Sequence, residues 1–325
     1  MKTIKIGAPY FMCIDEESQK LYSIGHRTSV IDMNSATVQT QIKGFRYAKR
    51  TLFIHKYGLL FLETNNQEYW LLDINDYSVI KRLKCHAIDA NIYYDDIEEK
   101  IYTMGTFDLK SLLAVIDVKT LQIKEYSFPH ESEDRQMTWY SLHKCVGGEL
   151  YLFKSTYNIR TTICDCVATY GKYRIENGTL KRFETIYTGN ENMMRINVGQ
   201  DYLCDNGRYM YRVKENDVIN YKEVIKRPYS DTFETERYIY FWQWLEEDLI
   251  RVTKDFKTVE TVYKCGAGER IACYAESEKY KFLALDKYEE LDKKCRPIPN
   301  KVKSRILVFD KNEEMKSSAI CMKGR

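Results

Sequence analysis

Proline is scarce in this sequence and glycine only modest, 5 and 15 residues among 325. So little of either argues against long disordered linkers. No run of 18 apolar residues occurs, which excludes a membrane-spanning helix. Neither sign of charge dominates: 50 Lys and Arg face 47 Asp and Glu, a formal net charge of +3. A balance that close gives no footing for non-specific attraction to nucleic acid or to a membrane surface. The stretch MKTIKIGAPYFMCIDEES meets an acidic pair before any apolar run of signal-peptide length, so a cytoplasmic location is expected. Nucleophile and phosphate-loop signatures are missing too: no G-x-S-x-G, H-E-x-x-H, P-loop or G-x-G-x-x-G.

What is present favours strands. There are 27 Tyr, 13 Phe and 4 Trp, and aromatic side chains suit half-buried pleated surfaces. Ten cysteines would allow five disulfides. They are instead scattered through strand-like segments (Cys13, Cys85, Cys145, Cys204, Cys265, Cys273, Cys321), which predicts buried reduced thiols acting as small hydrophobes.

The decisive pattern is a repeat. One landmark is an apolar strand centred on Tyr or Phe, at Tyr22, Phe61, Tyr102, Tyr151, Tyr202, Tyr240 and Phe282. The other is a hairpin strand, best seen in SVIDMN (Asp32), WLLDIND (Asp73) and AVIDVKT (Asp117). Fainter copies stand at Arg174, Arg212, Arg251 and Asp310. From each hairpin strand to the next aromatic strand the spacing stays between 28 and 34 residues, while from an aromatic strand to its own hairpin it ranges from 10 to 28. One joint stretches and the rest is rigid. Four strands of five or six residues fit such a unit. Labelling the strands a to d, the aromatic strand is b and the hairpin is c–d. The turns carry suitable chemistry at Asn34-Ser35, Asn75-Asp76, Asn177-Gly178, Glu215-Asn216 and Lys311-Asn312.

Seven such units predict an all-β, seven-bladed β-propeller in one domain. Its blades fall near 9–45, 46–85, 86–129, 130–189, 190–227, 228–266 and 267–325. Open sheet edges are costly, so strand 2–7 is expected to close the ring beside a C-terminal strand near 317–322. TSVIDMNSATVQTQI and AVIDVKTLQI resemble the repeat of YVTN-type propellers, whose blades carry a V-S-V-I-D-T-A-T-N-like hairpin. The likeness is fair around Asp32, Asp73 and Asp117 and rests elsewhere on spacing and apolar pattern. Arg at 174, 212 and 251 departs from it. The resemblance implies a fold and no particular activity.

In a propeller the b–c and d–a connections share one face. The stretched joints therefore read as insertions there: Lys154 to Gly171, Asp286 to Lys303, and a smaller one at Gly105 to Ser111, joined by the d–a connection Pro129 to Met137. Loops of blades four and seven would flank the channel mouth, where recognition is common. KKCRPIPNKVKSR carries Lys293, Lys294, Arg296, Lys301, Lys303 and Arg305, which suit an anionic ligand or an acidic partner. Glu289, Glu290 and Asp292 offset them if the loop is merely solvated. The expected contacts are Arg135, Tyr157, Arg160, Tyr229, Arg296 and Lys301.

No metal, cofactor or catalytic residue is expected. Cys164-Asp165-Cys166 lacks a second ligand pair, and His55 and His143 read as surface residues beside a–b turns. The reading is a binding scaffold for a protein or an anionic small molecule. A channel-centred hydrolase or lyase with Asp89, Asn91 and Asn197 at inner-strand positions comes second.

Overall fold

A computed structural model describes residues 1–7, 9–25, 27–42, 50–64, 68–86, 88–108, 110–129, 136–158, 166–191, 193, 196–205, 208–226, 231–243, 247–287, 293 and 303–315. Nearly all of these lie in seven antiparallel sheets of four strands. Blade one holds Phe11–Asp15, Lys20–Ile24, Thr28–Asp32 and Thr37–Ile42 as strands a to d. Blade two holds Arg50–Ile54, Leu59–Glu63, Glu68–Asp73 and Val79–Lys84. Blade three holds Ile88–Asp95, Lys100–Phe107, Lys110–Asp117 and Gln122–Pro129. Blade four holds Gln136–Val146, Glu149–Asn158, Cys166–Glu176 and Thr179–Gly189. Blade five holds Ile196–Val198, Tyr202–Asp205, Tyr209–Arg212 and Asp217–Asn220. Blade six holds Asp231–Glu234, Tyr238–Trp242, Asp248–Thr253 and Val259–Lys264. Blade seven holds Glu269–Glu276, Tyr280–Lys287, Arg305–Asp310 and, as its fourth strand, Lys2–Ile4.

The chain falls into two compact units. One takes Met1–Lys49 with Val224–Arg325, the other Arg50–Glu223. In the first, the N-terminal strand pairs with Arg305–Asp310, placing Thr3 opposite Leu307 and Ile4 opposite Ile306. This corrects the expected partner near 317–322, which lies outside the described residues. Strand Arg305–Asp310 already ends blade seven's own run, so its free edge is what the N-terminal strand covers. Lys2 Nζ donates to the Asn34 carbonyl at 2.7 Å and the Glu278 amide to Glu16 at 2.8 Å, tying blade seven to blade one. One apolar cluster, with Met12, Leu21, Tyr240, Tyr274, Phe282 and Leu307 among its members, fills this unit.

The second unit is built as a row of sandwiched sheets. Phe61, Tyr69 and Leu71 pack on Ile101, Leu112 and Ala114. Tyr102 and Leu113 then pack on Leu142, Leu152 and Tyr173, and Phe153 and Tyr170 on Leu203 and Tyr211. Central b strands are buried on both faces, which explains their unbroken apolar runs. Asp95 staples blade three to blade four: its carboxylate accepts from the Gly148 amide at 2.7 Å and the Cys145 thiol at 3.3 Å. Burial pushes that carboxyl up, but the Gly148 and Gly147 amides and the thiol outweigh it, leaving it below the ordinary carboxylate range.

The acidic hairpins earn their Asp through the turn. Asp32 accepts from the Ser35 amide at 2.7 Å, Asp73 from the Asn75 amide at 2.8 Å, and Asp117 from the Thr120 amide at 2.7 Å. In each, the fifth residue closes back on the Asp carbonyl with a positive φ: Ala36 at 56°, Tyr77 at 62° and Leu121 at 53°. That left-handed position lies one residue past Asn34-Ser35 and Asn75-Asp76, where the turns were expected. Asn177-Gly178 has φ of 52° and 79°, both positive as a type I′ turn requires. Where Arg replaces Asp, the side chain reaches a carboxylate instead: Arg212 forks onto Asp217 at 2.8 and 2.5 Å, and Arg251 onto Glu260 at 2.8 and 2.7 Å.

Two of the expected insertions are largely strand. In blade three, strand b runs through Phe107 and strand c starts at Lys110, so Gly105 to Ser111 is a tight hairpin. In blade four, Lys154 pairs with Thr169 and Tyr157 with Cys166, which leaves 159–165 as the connection. Spacing alone does not distinguish looped residues from paired ones. In blade seven the segment between Lys287 and Lys303 lies outside the described residues apart from Lys293.

Candidate functional site

Blade four is the tallest sheet, with strands of 10 or 11 residues. Counting five residues from its a–b and c–d turns, the stretches 136–141, 154–158, 166–171 and 184–189 rise beyond the five-residue strands a and b of blade two. This upper part holds a cavity of about 580 Å³ lined by Gln136, Lys154, Thr156, Tyr157, Val167, Thr169, Arg182, Thr185 and Thr188. All but Arg182 belong to the extension. The face that carries Lys154 and Thr169 also carries Tyr140, their register neighbour. Tyr140 packs with Tyr173 and Phe128 where blade four meets blade three. The cavity therefore begins where blade three's cover stops.

The chemistry of this crevice is polar and cationic. Thr169 is buried, Lys154, Thr156 and Tyr157 are half-buried, and Val167 is 47% exposed. The Lys154 ammonium sits 6.0 Å from the Tyr140 ring centre. Burial pushes its pKa down, and the neighbouring Arg182 charge pushes it further the same way. Burial pushes the Tyr140 hydroxyl up to about 12. Trp139 donates its indole N–H to the Tyr157 hydroxyl at 3.4 Å, fixing one wall.

Of the six expected contacts, Tyr157 is the one the structure describes, and it lines this crevice. Arg135, Arg160, Tyr229, Arg296 and Lys301 lie outside the described residues. The basic run is partly spoken for: Arg305 lies in a strand and ion-pairs with Glu269 at 2.5 Å. Lys154, Arg182 and the threonines went unnoticed in the sequence. Their signal was the alternation Lys154-x-Thr156 opposite Val167-x-Thr169, polar on one side of an apolar strand.

Other candidates resolve into structure. His143 is no surface residue. It is buried, hydrogen-bonded to the Tyr170 hydroxyl at 2.6 Å and the Gln200 carbonyl at 3.1 Å, and burial pulls its pKa down to about 4. The a–b turn, at Gly147-Gly148, lies beyond the end of strand Gln136–Val146 and leaves His143 inside the sheet. Asn91 accepts from the Arg50 guanidinium at 2.7 Å, and the side chains of Asp89 and Asn197 lie outside the described ones. Among the described residues no three His, Cys, Asp or Glu are grouped to hold a metal ion. Cys85, Cys145, Cys166, Cys204, Cys265 and Cys273 are buried thiols. Among the described residues no helix is long and apolar enough to cross a membrane.

No protein-family model and no curated protein matches this chain. Solved structures do. The WD40 domain of Neurospora crassa Pan2 is 10% identical with a TM-score of 0.57, covering 95% of this chain and 90% of its own. The β-propeller domain of Myceliophteria thermophila Cps50 (Swd1) is 11% identical with a TM-score of 0.62, covering 94% and 98%. The CNH domain of AfRom2 is 13% identical with a TM-score of 0.54, covering 93% and 94%. At such identities the likeness speaks for architecture alone. Together with seven four-stranded antiparallel sheets, it makes this chain a seven-bladed β-propeller.

Proposed function

We propose that this chain is a non-catalytic interaction scaffold that holds a protein partner on the blade ends carrying the b–c and d–a connections. The observation that carries it is the upper part of blade four, which leaves a half-exposed polar face and Val167 open to a partner. WD40 propellers among the structural neighbours support the same class. Arg135, Arg160, Tyr229, Arg296 and Lys301 belong by sequence to connections at that end, and Tyr157 joins them from strand b. A cytoplasmic setting and kinship with YVTN-type propellers are part of this reading, carried by composition and by the hairpins at Asp32, Asp73 and Asp117. No arrangement among the described residues favours the hydrolase or lyase alternative.

The test is affinity capture followed by mass spectrometry, with the wild-type chain against Val167→Asp and Tyr157→Ala. A partner retained by the wild type and depleted by both variants supports the scaffold. If the wild type retains nothing reproducible, or both variants keep the same partner at the same level, the reading fails.

A further inference from the structure

The crevice on blade four carries charge of one sign. Among its described lining residues Lys154 and Arg182 are the ionic pair of side chains, and no carboxylate stands among them. Three other cations of the same sheet are neutralised: Lys172 meets Glu184 at 2.6 Å, Lys181 meets Glu176 at 2.9 Å, and Arg174 meets Glu149. Two like charges on a partly dried surface raise each other's cost of ionisation. Four threonines line the same crevice, at 156, 169, 185 and 188, and the Thr156 hydroxyl shares a hydrogen bond with that of Thr138 at 3.1 Å.

We propose that this crevice binds a phosphate group, with the Lys154 ammonium and the Arg182 guanidinium neutralising it and the threonine hydroxyls donating to its oxygens. The match is one of number and geometry. A phosphate monoester offers three acceptor oxygens and close to two negative charges. Arginine adds a planar fork suited to that anion. A carboxylate would leave most of the hydroxyl donors unused. A polyanion needs a track of cations rather than one pair. The cavity, at about 580 Å³, is far larger than a bare ion, so the group arrives on a carrier that lies against Tyr157 and Val167. The inference deepens the interaction reading and rests on it only for the source of a protein-borne carrier. The negative charge of a bound phosphate opposes the two influences that hold the Lys154 pKa down, burial and the Arg182 charge.

The experiment is calorimetric titration of the full chain with inorganic phosphate, then with phenyl phosphate, in the wild type and in Lys154→Gln, Arg182→Gln, their double variant, Thr169→Val and Lys154→Arg. We expect one-to-one binding that sulfate competes away and that weakens about tenfold or more in the double variant, equal to ~1.4 kcal/mol. Lys154→Arg keeps most of the affinity, and unfolding midpoints match the wild type. Tighter binding of phenyl phosphate than of phosphate places the carrier in the crevice. A phosphoserine peptide pool retained over its dephosphorylated form assigns the source to a protein, and preference for free esters assigns it to a small molecule. No heat up to about 10 mM ligand, or equal affinity in wild type and double variant, overturns the proposal. Should the double variant unfold, the single variants decide by the same criterion. Partner capture by the wild type, with no phosphate binding by that same wild type, sinks this inference and leaves the scaffold standing.

Discussion

Blades four and five follow each other in the chain and share one apolar cluster, yet they are built to different heights. Blade four has strands of 10 or 11 residues, blade five strands of 3 or 4. Backbone pairing inside a sheet is self-sufficient, so a strand pair lengthens without asking anything of its neighbours. Covering the faces does need neighbours, and past Tyr140 blade three no longer covers the face of blade four that carries Lys154 and Thr169. The low sheet thus depends on its core, whereas the tall one ends in a polar crevice.

If this contrast holds, damage in the low blade costs most. Tyr211 is fully buried with Phe153, Tyr170 and Tyr187 rings at 5.7, 5.1 and 5.1 Å. Tyr211→Ala should lose about 3–5 kcal/mol in urea unfolding; a loss below about 1 kcal/mol would break the comparison. Deleting residues 2–7 takes the fourth strand and buried Ile4 from blade seven. It should lower stability by about 2–4 kcal/mol, and an unchanged melting temperature would deny the strand its role. In the tall blade, a Cβ on Gly171 would collide with the Glu184 carbonyl beside a register shift. Gly171→Ala should cost about 1–3 kcal/mol by the same urea measurement.

The join between the two blades should respond to acid. The His143 pKa is depressed from 6.5 to about 4, so the fold holds the neutral ring. Its contribution is present above the unfolded value and is lost as pH falls from 6.5 toward 4. Melting temperature should therefore drop across that window in the wild type and drop less in His143→Gln; parallel curves would refute the assignment. Smallest of all, Thr188→Val at the exposed top of blade four should change stability within about ±0.5 kcal/mol.

Much of the architecture was readable because the repeat is enforced by burial. Tyr22, Phe61, Tyr102, Tyr202, Tyr240 and Phe282 are each buried to 5% exposure or less, so the aromatic landmark marks a real constraint. Tyr151 shares the spacing but lies half-buried between the Lys144 and Lys172 ammoniums, 4.7 and 5.6 Å from its ring centre. The site was less readable for two reasons. Extra strand and extra loop count alike in a spacing, which hid the crevice inside an apparent insertion from Lys154 to Gly171. Cations are also conspicuous when clustered in sequence, as at 293–305, whereas Lys154 and Arg182 come together only through strands b and d. Turn chemistry was legible at Asn177-Gly178 and shifted by one residue at Ala36 and Tyr77, because Asp32 and Asp73 organise those turns from outside.

The pairing of Lys2–Ile4 with Arg305–Asp310 has a temporal side. About 300 residues separate the two partners, and at roughly 5–20 residues per second the ribosome takes some 15–60 s to deliver the second after the first. Until then the early segment has no edge to dock on, while blades one to six close through partners already made. The propeller is thus latched by an event that must come late, and a chain stalled before residue 305 would leave an unlatched sheet for chaperones to find.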